Sequence, residues 1–387
     1  MAHQILRGTD GRVGFVELFF DLVFVFAITQ ISHNLLYHYT MEGLVETAML
    51  FQAIWMVWIY TTWVLNLLDP NVVAVRFLLF VLMLGGLFLS MAIPQAFGAR
   101  GLIFAVAYVA MQVGRTVFFW VMMWANPATR LAYGRIFVWF AMSGLFWIAG
   151  GITQDEVRIA LWLVAIALEF IAALVGFYVP GLGRAVPSDW NVLGGHMAER
   201  CGLFVIICLG ESLLVSGATF AGMEWEATGI AAFLTAVGGA IGMWWVYFHI
   251  GYANAVHQIE HSSDPGRLAR LAYSYIHIPI VAGIVLSAVG SERAIAHPGD
   301  TAVLVEVASV IGGNALFLLG NGLFKWISSA RHFPLSHLVG LGLCAVAAAA
   351  GPFTTLLVLN AVAAAILAVV AVWEHRSYAS IPAIPSV

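Results

Sequence analysis

The chain has 387 residues, of which 62% are hydrophobic and only 9% charged, with a formal net charge of −4. Ordinary soluble domains carry about 25% charged residues, so this composition excludes a water-soluble globule and makes the bilayer the solvent. The weak, dispersed negative charge offers no basic face, which excludes nucleic-acid binding as the main task.

A bilayer crossing takes about 20 apolar residues. Cutting the chain at charge, Pro and Gly clusters predicts about twelve transmembrane helices. They lie near 13–37, 44–67, 73–97, 101–124, 131–152, 157–179, 196–220, 229–256, 268–290, 302–327, 335–350 and 353–374. The eleventh is short and ends at Gly351-Pro352, so the last pair reads either as two crossings or as one tight hairpin. The opening MAHQILRGTDGRVG reads as a short cytoplasmic tail. The first apolar segment is too long and too acidic for a cleavable signal peptide.

Basic residues orient the spans. With the amino terminus inside, the cytoplasmic ends hold Arg7, Arg12, Arg76, Arg130, Arg135, Arg184, Arg267, Arg270, Lys325, Arg331 and Arg376, against Arg100, Arg158 and Arg293 on the other side. Such a bias follows the positive-inside rule and predicts a membrane protein with both termini cytoplasmic.

An internal repeat is expected. AIWMVWIY (Ala53 to Tyr60) and AIGMWWVY (Ala240 to Tyr247) are identical at five of eight positions, including Trp58/Trp245 and Tyr60/Tyr247. GGLFLS (Gly85 to Ser90) resembles AGIVLS (Ala282 to Ser287), and Glu17 and Glu199 open the first and seventh spans. The fold class this predicts is an all-α polytopic membrane protein in two similar six-helix halves, 1–184 and 185–387, split near Gly181–Trp190. An even number of helices per half makes the repeat parallel.

The first span, FVELFFDLVFVFAITQISH, sets Glu17, Asp21, Gln30 and His33 into apolar sequence. At about 100° per residue, Glu17 and Asp21 share one face, and Gln30 and His33 roughly the opposite one. The seventh begins HMAERCGLFVIICLGES, where His196, Glu199 and Arg200 stand at i, i+3 and i+4 and Glu211 follows deeper in. Asp21, Arg115 and Glu211 all fall within about two turns of mid-span. Placed singly in lipid, three such charges cost on the order of 8–10 kcal/mol, so pairing is expected, with Arg115 the obvious countercharge for an acid. One reading is a buried ion pair that fixes helix packing; the other is a polar pathway between the halves. Buried acids outnumber buried Arg, and acids without a countercharge are candidates for proton exchange.

These stretches, together with YSYIHIPIVAGIVLSAVGSERAIAHP, resemble the bacterial low temperature requirement A (LtrA) family, from about Gly11 to the end of the tenth helix. The resemblance implies a multi-pass protein of the bacterial cytoplasmic (inner) membrane and places the family signature on Glu17, Asp21, His33, His196, Glu199, Arg200, Glu211 and His277. It implies no particular substrate.

Other features are weaker. HQIEH (His257 to His261) matches an H-x-x-E-H zinc-peptidase pattern but has no evident third ligand. His33 and His196 are predicted near opposite membrane faces, which argues against one metal or haem site, and no cofactor is expected. Cys201, Cys208 and Cys344 read as buried small apolar residues. Trp58 and Trp245 either pack between helices or line a cavity, and Gly238-Gly239 and Gly312-Gly313 read as close helix approaches.

The function that fits best is secondary transport of a small solute between the halves, with a proton pathway drawn from Glu17, Asp21, His33, Arg115, His196, Glu199, Arg200, Glu211 and His277. The alternative is a membrane-embedded enzyme or lipid-binding protein at the cytoplasmic leaflet, using the His196–Glu199–Arg200 cluster. Expected partners are membrane lipids and an unidentified small molecule, without nucleic acid; self-association into a homo-oligomer stays open.

Overall fold

In lipid a backbone can satisfy its polar groups only within helices or closed barrels, and this chain takes the helical solution. The structure, a computed structural model, describes residues 5–8, 11–185, 192–328 and 332–379. It is 83% helical, and among the described residues there are no strands, only isolated bridges. Twelve of the described helices are long and apolar enough to cross a membrane. They are α1 (Phe15–Tyr37), α2 (Met41–Leu67), α3 (Val73–Gln95), α4 (Gly101–Met122), α5 (Pro127–Ile152), α6 (Asp155–Leu174), α7 (Gly194–Ala221), α8 (Ala227–Tyr247), α9 (Pro265–Ala296), α10 (Leu304–Ser328), α11 (Leu335–Phe353) and α12 (Leu356–Ser377). At 19 residues α11 spans roughly 28 Å, enough to cross rather than turn back. The expected hinge at Gly181–Trp190 falls partly on 186–190, and Arg331 of the basic count falls in 329–331; both lie outside the described residues.

Local chemistry sets the helix ends. Thr40 caps α2 by accepting the Gly43 N–H at 3.1 Å, and Asn126 caps α5 ahead of Pro127. The α6 helix stops at Leu174, short of the expected 179, because Gly176 and Phe177 adopt φ of +66° and +52°, which no right-handed helix allows. The eighth span also ends early. After Tyr247 the chain widens into a π-helical turn, Phe248–Tyr252, and resumes as the short helix Ala253–Glu260. Two more π-helical turns lie within spans, Ala269–Tyr275 in α9 and Ala308–Gly312 in α10.

Two compact units are distinguished, Met1–Arg200 with Ser262–Ala269, and Cys201–His261 with Arg270–Val387. In the first, α4 packs between α3 and α5, α5 against α6, and α1 against α2 and α3. In the second, α9 packs against α10 and α8, and α12 against α8 and α11. Outward faces are apolar: Phe15, Phe77 and Leu174 are 92%, 68% and 81% exposed, as lipid-facing groups are.

The α9 and α10 helices approach each other closely. A Cβ added at Gly283 would stand 2.5 Å from the Phe317 backbone nitrogen, and one at Gly313 would stand 2.7 Å from that of Ser287. Absent side chains let the two backbones touch, as in other membrane helix pairs. Gly313 thus plays the expected role. Gly238, Gly239 and Gly312 do not, since a Cβ there would meet nothing within 4 Å.

Candidate functional site

The site in the first unit begins with the amino-terminal tail. Arg7 N–H donates to the Leu67 carbonyl at 2.9 Å and Asp69 N–H to that of Ile5 at 2.8 Å, which pins the tail along the end of α2. Arg7 is thereby aimed at the first turn of α1. Its Nη2 donates to Glu17 Oε2 at 2.8 Å, while Nε and Nη1 reach the Leu65 and Arg12 carbonyls. Glu17 Oε2 also accepts the Gly14 N–H at 2.7 Å, capping the helix that carries it.

The other carboxylate oxygen of Glu17 meets His196 Nε2 at 2.8 Å. Asn66 fixes the tautomer. Its Oδ1 accepts the Leu193 N–H at 2.9 Å, so its Nδ2 faces His196 Nδ1 at 3.1 Å and donates to it. Nδ1 being an acceptor, the imidazole is neutral and Nε2 carries the proton toward Glu17.

One turn further along both helices stands a second pair. Arg200 Nη2 donates to Asp21 Oδ1 at 2.8 Å, and Trp58 Nε1 donates to the same oxygen at 2.8 Å. Asp21–Arg200 joins residues 179 apart in sequence, as does Glu17–His196, so α1 and the start of α7 run parallel through this ladder. Helical spacing explains it: i and i+4 on one helix face i and i+4 on the other. Glu17, Asp21, His196 and Arg200 are fully buried.

The two rungs differ in completeness. Every hydrogen-bonding atom of the Arg7, Glu17 and His196 side chains is engaged. In the second rung Asp21 Oδ2 and Arg200 Nε and Nη1 have no hydrogen-bond partner, although Nη2 also approaches Thr62 at 3.4 Å and the guanidinium lies 5.6 Å from the Trp58 ring centre. Two carboxylates and two guanidiniums cancel in formal charge, which is how four such groups are tolerated away from water.

Arg115 is not the countercharge of Asp21; Arg200 is. Arg115 Nη1 donates to the Val57 carbonyl at 3.1 Å and to Thr61 Oγ1 at 2.9 Å, and Nη2 donates to Gln112 Oε1. Gln112 continues to the Tyr108 hydroxyl at 3.0 Å, which donates to Glu169 Oε2 at 2.5 Å. Ser143 and Trp147 donate to the other Glu169 oxygen at 3.0 and 3.1 Å. The α2 helix thus carries Trp58 and Thr62 toward one polar network and Val57 and Thr61 toward another.

The remaining expected site residues lie elsewhere. Glu199 is half-buried and accepts the Val13 N–H at 3.1 Å, and His33 sits on an exposed face of α1, roughly 18 Å along the axis from Asp21. Glu211 and His277 are buried in the second unit. There His277 Nδ1 donates to the Ala272 carbonyl at 2.8 Å, inside the π-helical turn, and Nε2 accepts from the Tyr247 hydroxyl at 2.7 Å. His257 and His261 face each other on an exposed helix end, Nδ1 to Nδ1 at 2.8 Å. Among the described residues no three His, Cys, Asp or Glu side chains gather to hold a metal ion.

Sequence reasoning counts Glu169 among the buried acids but misses Arg7 and Asn66 as site residues, and the link from Glu169 through Tyr108 and Gln112 to Arg115. Polar residues at helical spacing (Tyr108, Gln112 and Arg115 at i, i+4 and i+7) were the available signal for the link.

Twelve helices long and apolar enough to cross a membrane, with a buried, charge-neutral ladder inside the first unit, define a multi-pass α-helical membrane protein. Residues 12–372 match the family described as Bacterial low temperature requirement A protein (LtrA), and the chain belongs to that family. It is 40% identical over 369 residues, 94% of this chain and 89% of the relative, to the uncharacterized protein RA0937 of Rhizobium meliloti (strain 1021). No solved structure matches.

Proposed function

We propose that the protein is a secondary transporter of a small solute in the bacterial inner membrane, with both termini cytoplasmic and two similar six-helix halves, 1–184 and 185–387. The observation that carries this reading is the incomplete second rung. A buried carboxylate oxygen and two guanidinium N–H groups with nothing to bond have spare capacity for a polar ligand, at a depth where unsatisfied groups are expensive. The parallel run of α1 and the start of α7 supports the repeat, because equivalent first helices of parallel halves point the same way. Proton coupling through Asp21 and Glu211, both buried in spans, is part of the proposal. Lipids and the transported solute are its partners.

The alternative, lipid chemistry at the cytoplasmic leaflet, draws on the Glu17–His196 rung, which lies in the first turns of α1 and α7, where a headgroup arrives. That rung is fully hydrogen-bonded, as a structural clamp is, and the open valences lie deeper.

Proteoliposomes challenged with a panel of labelled small polar solutes test the reading. At least one solute is expected to accumulate, faster under an imposed pH gradient, and Asp21→Asn is expected to abolish uptake. Absence of any uptake, or uptake unchanged in Asp21→Asn, contradicts transport through this site. Uptake indifferent to the gradient contradicts only the proton coupling.

A further inference from the structure

The second unit contains a small cavity of about 20 Å³ that the ladder does not involve. Its lining includes six residues with side-chain oxygens, Ser212 of α7, Thr235 of α8, Ser287 and Ser291 of α9, Asn314 of α10 and Asn360 of α12. Ser212, Ser287 and Ser291 lie within three turns of the C-terminal ends of α7 and α9, and Thr235, Asn314 and Asn360 within three turns of the N-terminal ends of α8, α10 and α12, so they form one layer within the spans. Such convergence of five helices has no counterpart in ordinary apolar packing.

The hydrogen-bond directions within the layer are informative. Ser291 donates to Asn360 Oδ1 at 3.0 Å, Asn360 Nδ2 donates to Thr235 Oγ1 at 2.9 Å, and Thr235 in turn donates to the Ala232 carbonyl at 2.8 Å. The Ser291 and Thr235 hydroxyl protons and one Asn360 N–H are used in these bonds, and each of the three oxygens keeps a lone pair. Ser287 Oγ and Asn314 Oδ1 have no hydrogen-bond partner, and their residues are only 8% and 4% exposed. The cavity therefore offers at least two unpartnered oxygens, and no side chain in its lining carries a charge.

We infer that this cavity is a binding site for one monovalent alkali cation. The volume admits a single water-sized particle. Its lining residues carry six side-chain oxygens, more than the two to four partners that one buried water uses. Oxygen ligands select hard cations over the metals that prefer nitrogen or sulfur. The six side chains are all neutral, whereas Ca²⁺ and Mg²⁺ sites rely on carboxylates, so the charge that suits them is single. Gly239, where a Cβ would meet nothing within 4 Å, also lines the cavity and keeps it open. This inference concerns binding alone and does not rest on the transport reading.

The test uses the full-length protein in detergent, with labelled Na⁺ and, as a K⁺ surrogate, Rb⁺, against a choline chloride background of equal ionic strength. Saturable binding of one of these ions at about one per chain is expected, together with a higher thermal midpoint in its chloride salt than in choline chloride. Ser287→Ala and Asn314→Leu are each expected to weaken binding about tenfold or more. Ser287→Ala removes a hydroxyl that bonds to nothing, so its midpoint in choline chloride stays near that of the parent and reports that it is folded. Absence of saturable binding of either ion overturns the inference, as it would if the cavity simply held a water. Binding that is unchanged in Ser287→Ala overturns it too, whether or not Asn314→Leu folds.

Discussion

The segments Ala53 to Tyr60 and Ala240 to Tyr247 carry nearly the same residues and turn opposite ones inward. In the first, Trp58 is fully buried and donates to Asp21, while Tyr60 is half-buried beside Phe140. In the second, Trp245 lies on an exposed face, stacked on His249 at 4.4 Å, and Tyr247 is the buried donor, to His277. The inward residue is the one that meets an acceptor on a neighbouring helix. The same contrast holds for the polar sites these two residues serve. The ladder buries full charges and pairs them; the second-unit site buries a neutral Tyr–His pair, and the same unit holds a layer of serine, threonine and asparagine oxygens. Where full charge is buried, removing one partner is expected to be severe. Where only dipoles are buried, it is expected to be mild.

The sharpest break of that contrast is Asp21→Ala, which strands the Arg200 guanidinium without its countercharge. We expect a loss of about 3–5 kcal/mol, read as unfolding by chaotrope in detergent. A loss below about 1 kcal/mol would show that the rung is hydrated rather than buried. Next comes Gly283→Leu, which drives a side chain into the α10 backbone and is expected to cost about 1–3 kcal/mol by overpacking. No comparable effect is expected at Gly238, where there is open space. Smallest is Tyr247→Phe, which leaves His277 Nε2 without its donor and is expected to cost about 1–2 kcal/mol in the same assay. If it cost as much as Asp21→Ala, the distinction between charged and neutral interiors would fail.

Much of the architecture was legible in sequence because bilayer thickness forces a uniform apolar length on every crossing. The span ends at Leu174 and Tyr247 were not, since positive φ at Phe177 and a π-helical turn after Tyr247 arise from tertiary packing rather than composition. At the site, i and i+4 spacing put Glu17 with Asp21 and His196 with Arg200 on common faces, and those faces meet. Which guanidinium serves which acid was not legible. Arg115 and Arg200 are equally good countercharges by chemistry, and only the placement of α4 gives Arg115 neutral oxygens instead. Arg7 carried no signal, because its position depends on a backbone bridge between the tail and the end of α2.

The ladder itself is tested most directly by a double-mutant cycle on its inner rung, with Asp21→Asn, Arg200→Met and the pair together. Each single variant leaves one buried charge alone, and the pair leaves none. The account predicts that the double variant is more stable than the sum of the singles requires by about 2–3 kcal/mol. Additive losses, to within about 0.5 kcal/mol, would mean that Asp21 and Arg200 do not face each other in the membrane, and would contradict it.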